Sequence, residues 1–542
     1  MSRHKEVSQG RTSGKRRLFL EQLEQRNLMA GIVTVEVLGN SLIITGDSAD
    51  NVIQVVEVED GDFNDKTHAY VVGGADTEIK IGRNSGVPLT EGLPEFVSDA
   101  AFFRNVKFDI NIRMNGGNDV VGVGNSTQAL IDLAVASGFP VEMFGLPQDA
   151  GNIEGAREGT LEVPRSLLID MGDGRNDFEA VVAIANVGGG NIGGIAKITT
   201  GLSGKGTSTD FVAVGNSTVG GPRNRGADLL IFTGNGDDQV SLSDFSVQDL
   251  LQVNTGNGND VVRINDDGEG GDGGSEGGSD GGGDGEVSTA LHALIKTGHA
   301  LIETGNGSDE VSVYDLALRN AMSVFTQGSD KRVLDEDEVE LYNVSTSFMH
   351  VLTGKDGDTV EVENGIDGEP AAQQGVIRDL VINTDSGEDL VELIALTIVR
   401  DAKVLLGAGN DTLSVEGIND DQNDEVHNGR NAFIDAGAGD DNVNIANAHF
   451  DQFDSRGRLI GGTVNILMGA GNDTLTISLQ SSSAKTITLD GGPPTQRQGG
   501  TDTLLTDGLI ESNVKLSDGG RTLTVRNFEF FTGEMEGEGD EE

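Results

Sequence analysis

The 542-residue chain carries 89 Asp and Glu against 37 Lys and Arg, a formal net charge of −52 at pH 7, which argues against unaided binding to nucleic acid or anionic membranes. Hydrophobic residues make up 36% and aromatics 4%, with 80 Gly and neither Trp nor Cys: too few large side chains for one thick core, and no sulfur for staples, thiolate nucleophiles or thiolate metal sites. The longest apolar runs, such as "LIALTIV" at 393–399, are strand-sized and far short of the roughly 20 residues of a membrane helix. The expectation is a soluble chain without a membrane span, whose thin core is shared by many small layers.

In chain order, residues 1–30 hold a basic stretch and a short amphipathic helix, "KRRLFLEQLEQRNLMAG" at 15–31, whose only apolar block is "LFL". That is a poor ordinary signal peptide, and reads as an export-like or disordered segment. Residues 31–112 contain strand-like runs and are expected to form the first coils and a cap. Internal repetition then dominates 113–265 and 287–527, a first and a second solenoid stretch. Between them, 266–286 contain only Gly, Asp, Glu and Ser, which can bury nothing and are expected to form a flexible acidic loop. Residues 528–542 read as an acidic tail.

The repeat is G-x-G-x-D-x-U-x-U, with U apolar, in "FTGNGDDQVSL" (232–242), "NTGNGNDVVRI" (254–264), "ETGNGSDEVSV" (303–313), "LGAGNDTLSV" (406–415), "AGAGDDNVNI" (436–445) and "MGAGNDTLTI" (468–477). Looser copies centre on Asp119, Asp177, Asp210, Asp358, Asp389 and Asp502. After each aspartate, apolar residues alternate (Val240 and Leu242, Val262 and Ile264, Val311 and Val313, Leu413 and Val415, Val443 and Ile445, Leu475 and Ile477), and period two means strand. A second short apolar run precedes the glycines, so each unit is strand, glycine turn, strand. The closest spacings, Asp238 to Asp260 and Asp389 to Asp411, are both 22 residues; longer intervals imply loops inserted opposite the glycine turn. Such a unit cannot bury its own apolar face and must stack on its neighbours. The predicted fold is therefore all-β, a parallel β-solenoid with glycine-aspartate turns along one edge, against an antiparallel sandwich as the alternative.

These turns resemble the haemolysin-type calcium-binding repeats of the RTX family, whose nonapeptides build a parallel β-roll that binds Ca²⁺ between turns. The resemblance implies Asp238, Asp260, Asp309, Asp411, Asp441 and Asp473 as carboxylate ligands. It implies Gly234 and Gly236, Gly256 and Gly258, Gly305 and Gly307, Gly407 and Gly409, Gly437 and Gly439, and Gly469 and Gly471 as the turn glycines of the sites. The chain departs from the family in lacking tandem nonapeptides and in having one glycine turn per rung. The N-terminal segment resembles the LEPR-XLL segment of large exported bacterial proteins, with Gln25 in place of its proline and Met29 in place of its last leucine.

Elementary electrostatics also favours calcium. Stacked rungs set equivalent carboxylates about 4.8 Å apart, where two unit charges repel by roughly 1 kcal/mol even in water, and a hard divalent cation with oxygen ligands removes that repulsion. The rival explanation is that Asp and Asn simply cap tight turns. No phosphate loop or H-E-x-x-H occurs, and among so many acids no catalytic carboxylate pair stands out. The function expected is a secreted or cell-surface, non-enzymatic, calcium-binding structural or adhesive protein, with a surface polysaccharide or another matrix protein as partner. A polysaccharide-active enzyme on a parallel β-helix and a metal-free repeat scaffold are the alternatives.

Overall fold

The computed structural model describes the chain from residue 31 to residue 533, except for 58–66, 83–96, most of 125–164, 173–179, 188–193, 202–208, 221–225, 266–294, 328–335, 365–374, 419–430, 493–500, 508–514 and a few shorter stretches. The segment 1–30, Asp177, the acidic stretch 266–286 and everything after Gly533 lie outside the described residues.

The regular elements are strands, gathered into two long ladders of 19 and 17. The first collects the strands that precede each glycine turn, such as Asp228–Phe232, Leu250–Asn254 and His299–Glu303; the second collects those that follow it, such as Gln239–Ser243, Val261–Ile264 and Glu310–Tyr314. From rung to rung the pairing is parallel and in register, Leu229 to Leu251 to Ala300 in one ladder and Val240 to Val262 to Val311 in the other. Parallel neighbours need a crossover, and here each crossover is a strand of the opposite ladder, so the chain winds as a β-solenoid. Antiparallel pairing among the described residues is confined to the strands between Gly31 and Val106, a side hairpin of Gln452–Phe453 with Leu459–Gly461, and the hairpin Lys515–Asp518 with Arg521–Arg526. The second ladder is open, ending on Ala100–Val106 and on Phe530–Gly533. The stack thus runs past residue 527, because Phe528 is buried and the last strand follows it.

The alternating residues read from the sequence face inward: Val240, Leu242, Val262, Ile264, Val311, Val313, Leu413, Val415, Val443, Ile445, Leu475 and Ile477 are all buried in one continuous core. Val262 is fully buried, whereas its neighbour Arg263 points outward to an ion pair with Glu310 at 2.8 Å. Val262→Asp should therefore strand a charge in a thin core and unfold its local rungs, at a cost of several kcal/mol. Arg263→Glu loses only a surface pair and should cost about 1 kcal/mol or less. Urea melts of the two variants check the contrast, and equal damage would refute the inward assignment.

One feature departs from the sequence reading. Between first-ladder and second-ladder strands, on the glycine-turn side, lie the stretches 173–179, 202–208, 328–335 and 493–500, so insertions are not restricted to the opposite side. A second corner closes each rung after the second strand, where Asn216, Asp244, Asn265, Asp315, Asn343 and Asn447 take φ between 43° and 56°. Asn and Asp tolerate that left-handed conformation better than other side chains.

Candidate functional site

Every turn glycine expected from the repeat has positive φ, between 93° and 159°. At Gly256 the need is twofold: its φ is 97°, and a Cβ there would lie 1.5 Å from the Gly234 carbonyl oxygen of the preceding rung. The residue before the second turn glycine pairs with its counterpart in the next rung, Asn235 with Asn257 with Asn306, and Ser386 with Ala408 with Ala438 with Ala470. The backbone ladder thus continues round the corner, and the Gly234, Gly256, Gly407 and Gly437 carbonyls accept N–H bonds from the next rung at 2.8 to 3.3 Å. These carbonyls are stacked on one another.

The aspartates of the repeat line the inside of this corner and form a second ladder. Each carboxylate Oδ1 accepts the backbone N–H of the equivalent residue one rung earlier. The series runs through Asp210, Asp238, Asp260, Asp309, Asp337, Asp358, Asp389, Asp411, Asp441, Asp473 and Asp502 at 2.8 to 3.2 Å, starting from the Ala180 N–H and ending on Glu529 Oε2. In the first rungs Asp119 Oδ1 accepts both the backbone and side-chain N–H of Asn51. All six aspartates expected as ligands belong to this one column. Asp260 and Asp309 are direct neighbours across 49 residues, so the acidic stretch between them inserts no rung. On the outer side of the turn a shorter ladder runs in the opposite sense, Asn259 N–H to Asp237 and Ser308 N–H to Asn259.

Sequence reasoning missed Asp337, whose segment "DEDEVELY" has D-x-U-x-U but no glycines. The signal was in the spacing, because the 49 residues from Asp309 to Asp358 divide into 28 and 21. Ala180, which pairs with Asp119 and whose N–H is held by Asp210, takes the ladder position in the rung where the sequence pointed to Asp177.

The column is almost sealed from water: Asp238, Asp260 and Asp473 are 0% exposed and Asp309, Asp411 and Asp441 no more than 2%. Burial pushes the carboxyl of Asp238 up to about 9, those of Asp309 and Asp358 up to about 8, and those of Asp260, Asp441 and Asp473 up to about 7, while hydrogen bonds from the preceding rung pull the other way. The second oxygen, Oδ2, has no hydrogen-bond partner at Asp119, Asp238, Asp260, Asp309, Asp358, Asp389, Asp411, Asp441 or Asp473. An orphaned buried carboxylate oxygen must be protonated or matched by a cation. Its hard anionic character fits a divalent ion such as Ca²⁺. Among the described residues no group of three or more His, Cys, Asp and Glu side chains converges on a point. A cation here would take the carboxylates of two neighbouring rungs and fill its shell with backbone carbonyls. Comparison of the chain with protein-family models, curated proteins and solved structures finds no match.

Proposed function

We propose that this chain is a calcium-stabilised structural solenoid that serves outside the cell as an adhesive or matrix component. The observation that carries this reading is the sealed aspartate column with its orphaned Oδ2 atoms: one divalent ion between two rungs neutralises two such oxygens at once. Extracellular calcium modules bind at roughly 10⁻⁴ to 10⁻³ M, a concentration range met outside cells. The burial of the column supports a structural role for these aspartates, since groups sealed inside a stack are out of a substrate's reach. A surface polysaccharide or a matrix protein is the partner in keeping with such a scaffold.

Millimolar Ca²⁺ should raise the melting temperature and the β-signal in circular dichroism relative to chelator. Each site contributes about 2.7 kcal/mol at a hundredfold excess over Kd if only the folded chain binds. One observation favours a metal-free scaffold instead: Thr200 Oγ1 donates to Asp210 Oδ2 at 2.7 Å, satisfying that carboxyl without an ion. Coincident melting curves with and without calcium would establish the metal-free scaffold and end the calcium reading.

A further inference from the structure

The two ends of the stack differ. At the N-terminal end the core side chains of the outer strands are covered, with Ile79, Phe103 and Val106 fully buried. At the C-terminal end the core runs out into the open. One inward column of the first ladder passes from Val464 through Ile487 and Leu523 to Leu516, and one of the second passes from Leu475 through Leu504 to Phe531. Val464, Ile487, Leu475 and Leu504 are buried, Leu523 and Phe531 are only partly so, and Leu516 is 51% exposed. Phe530 stands in line with Thr503 on the outer face and is 58% exposed. Leu516 and Phe530 are the two most exposed large apolar side chains among the described residues.

The same end leaves two strand edges open. Among the described residues Lys515–Asp518 pairs only with Arg521–Arg526, and Phe530–Gly533 only with Thr503–Thr506, so each presents a row of N–H and C=O groups to a further strand. The hairpin adds one strand beyond the last rung on the first ladder alone, which leaves that ladder one strand taller than the second. A stepped end fits its own copy turned over so that the two ladders change places, because each tall side then meets the other's short side. Residues 534–542, "EMEGEGDEE", hold a single apolar side chain and supply no apolar cover.

From the step and the open core we infer that two copies of the chain join by their C-terminal ends, Lys515–Asp518 of each lying parallel to Phe530–Gly533 of the other. Matching inward with inward sets the register. Leu516 meets Phe531 and closes the core, while Lys515 lies beside Phe530 on the outer face, where an ammonium over the ring is favourable. Lys197 already sits over the Phe232 ring of the next rung in this way, 5.3 Å from its centre. The symmetry makes two identical junctions and leaves no open end for a third copy. The charge of −52 on each chain opposes the union, so salt should tighten it.

Sedimentation of the full-length chain in millimolar Ca²⁺ and about 0.5 M salt should show a concentration-dependent species of twice the chain mass. A monomer at every concentration overturns the inference, and so does growth beyond a dimer. Phe530 separates the register from simple stickiness, because it lies outside the core. Phe530→Glu sets a carboxylate beside Lys515 and should change the dimer constant less than about threefold, whereas Phe530→Lys sets like charges side by side, twice per dimer, and should weaken it by about tenfold or more. Adding Lys515→Glu to the Phe530→Lys chain should restore association. Net charge alone gives the reverse order, since Glu makes each chain more negative and Lys less, and either that order or equal losses overturns the pairing. Should a variant misfold, hydrogen exchange on the unaltered chain decides: amides of 515–518 and 530–533 gain protection from dilute to concentrated solution if the edges join, and unchanged protection refutes the junction.

Discussion

In chelator the protein should melt at a markedly lower temperature at pH 8.5 than at pH 6. The carboxyls of the column sit near 3.8 in an open chain, but folding raises Asp238 to about 9, Asp309 and Asp358 to about 8, and Asp260, Asp441 and Asp473 to about 7. Between those limits the folded chain holds more protons than the unfolded one. Stability is thus complete below about pH 4 and drains away as pH rises through the folded values, by about 1.4 kcal/mol per pH unit for each group in its window. The net charge of −52 repels itself in the same direction, so a control is needed. Asp238→Asn keeps the oxygen that accepts the Asp210 N–H but cannot ionise, and its melting temperature should fall less over the same interval. Calcium at pH 8.5 should recover much of the loss by standing in for the protons. Scanning calorimetry at both pH values checks all three, and a metal-free melting temperature that holds steady or rises toward pH 8.5 would contradict the sealed column.

The fold was legible because two independent periods agreed: the fixed phase of glycine and aspartate marked one corner, and apolar alternation after it marked the strand that the corner feeds. Where either signal lapsed, legibility lapsed with it. The rung of Asp337 lacks the G-x-G pair and showed only as a doubled interval. The second corner needs one residue able to take left-handed φ, as at Asn265 or Asp315, and a lone Asx in an acidic chain does not stand out. Strands such as Asp119–Val123 and Phe211–Gly215 are buried on both faces, where a continuous apolar run hides the period. The aspartates themselves were found, but their first duty was not. The sequence suggests carboxylates waiting for a cation, whereas the structure spends Oδ1 on the neighbouring rung's backbone and leaves only Oδ2 for an ion. That division depends on the inward direction of the side chain at a corner, and spacing alone does not set it.

Gly256→Ala should cost at least about 4 kcal/mol, in the range reserved for changes that break a structure locally. The added carbon would meet the Gly234 carbonyl oxygen at 1.5 Å and the carbonyl carbon at 2.7 Å, on a backbone with φ of 97°. Both obstacles are main chain, so no side chain can rotate to relieve them. The rungs must separate, taking with them the Asn257 N–H to Gly234 bond at 3.2 Å and, four residues on, the Asp260 carboxylate that holds the Asp238 N–H. Because each rung touches only its neighbours, the damage should stay local. Hydrogen exchange should show lost protection in the strands from Asp228 to Ile264 while Thr486–Asp490 and Thr503–Thr506 remain protected. Gly226 supplies the comparison: nothing lies within 4 Å of its added carbon, so Gly226→Ala should change stability by less than about 1 kcal/mol. If the two variants melt alike, the rungs are not stacked carbonyl against glycine, and the aspartate column that depends on that stacking loses its geometric basis.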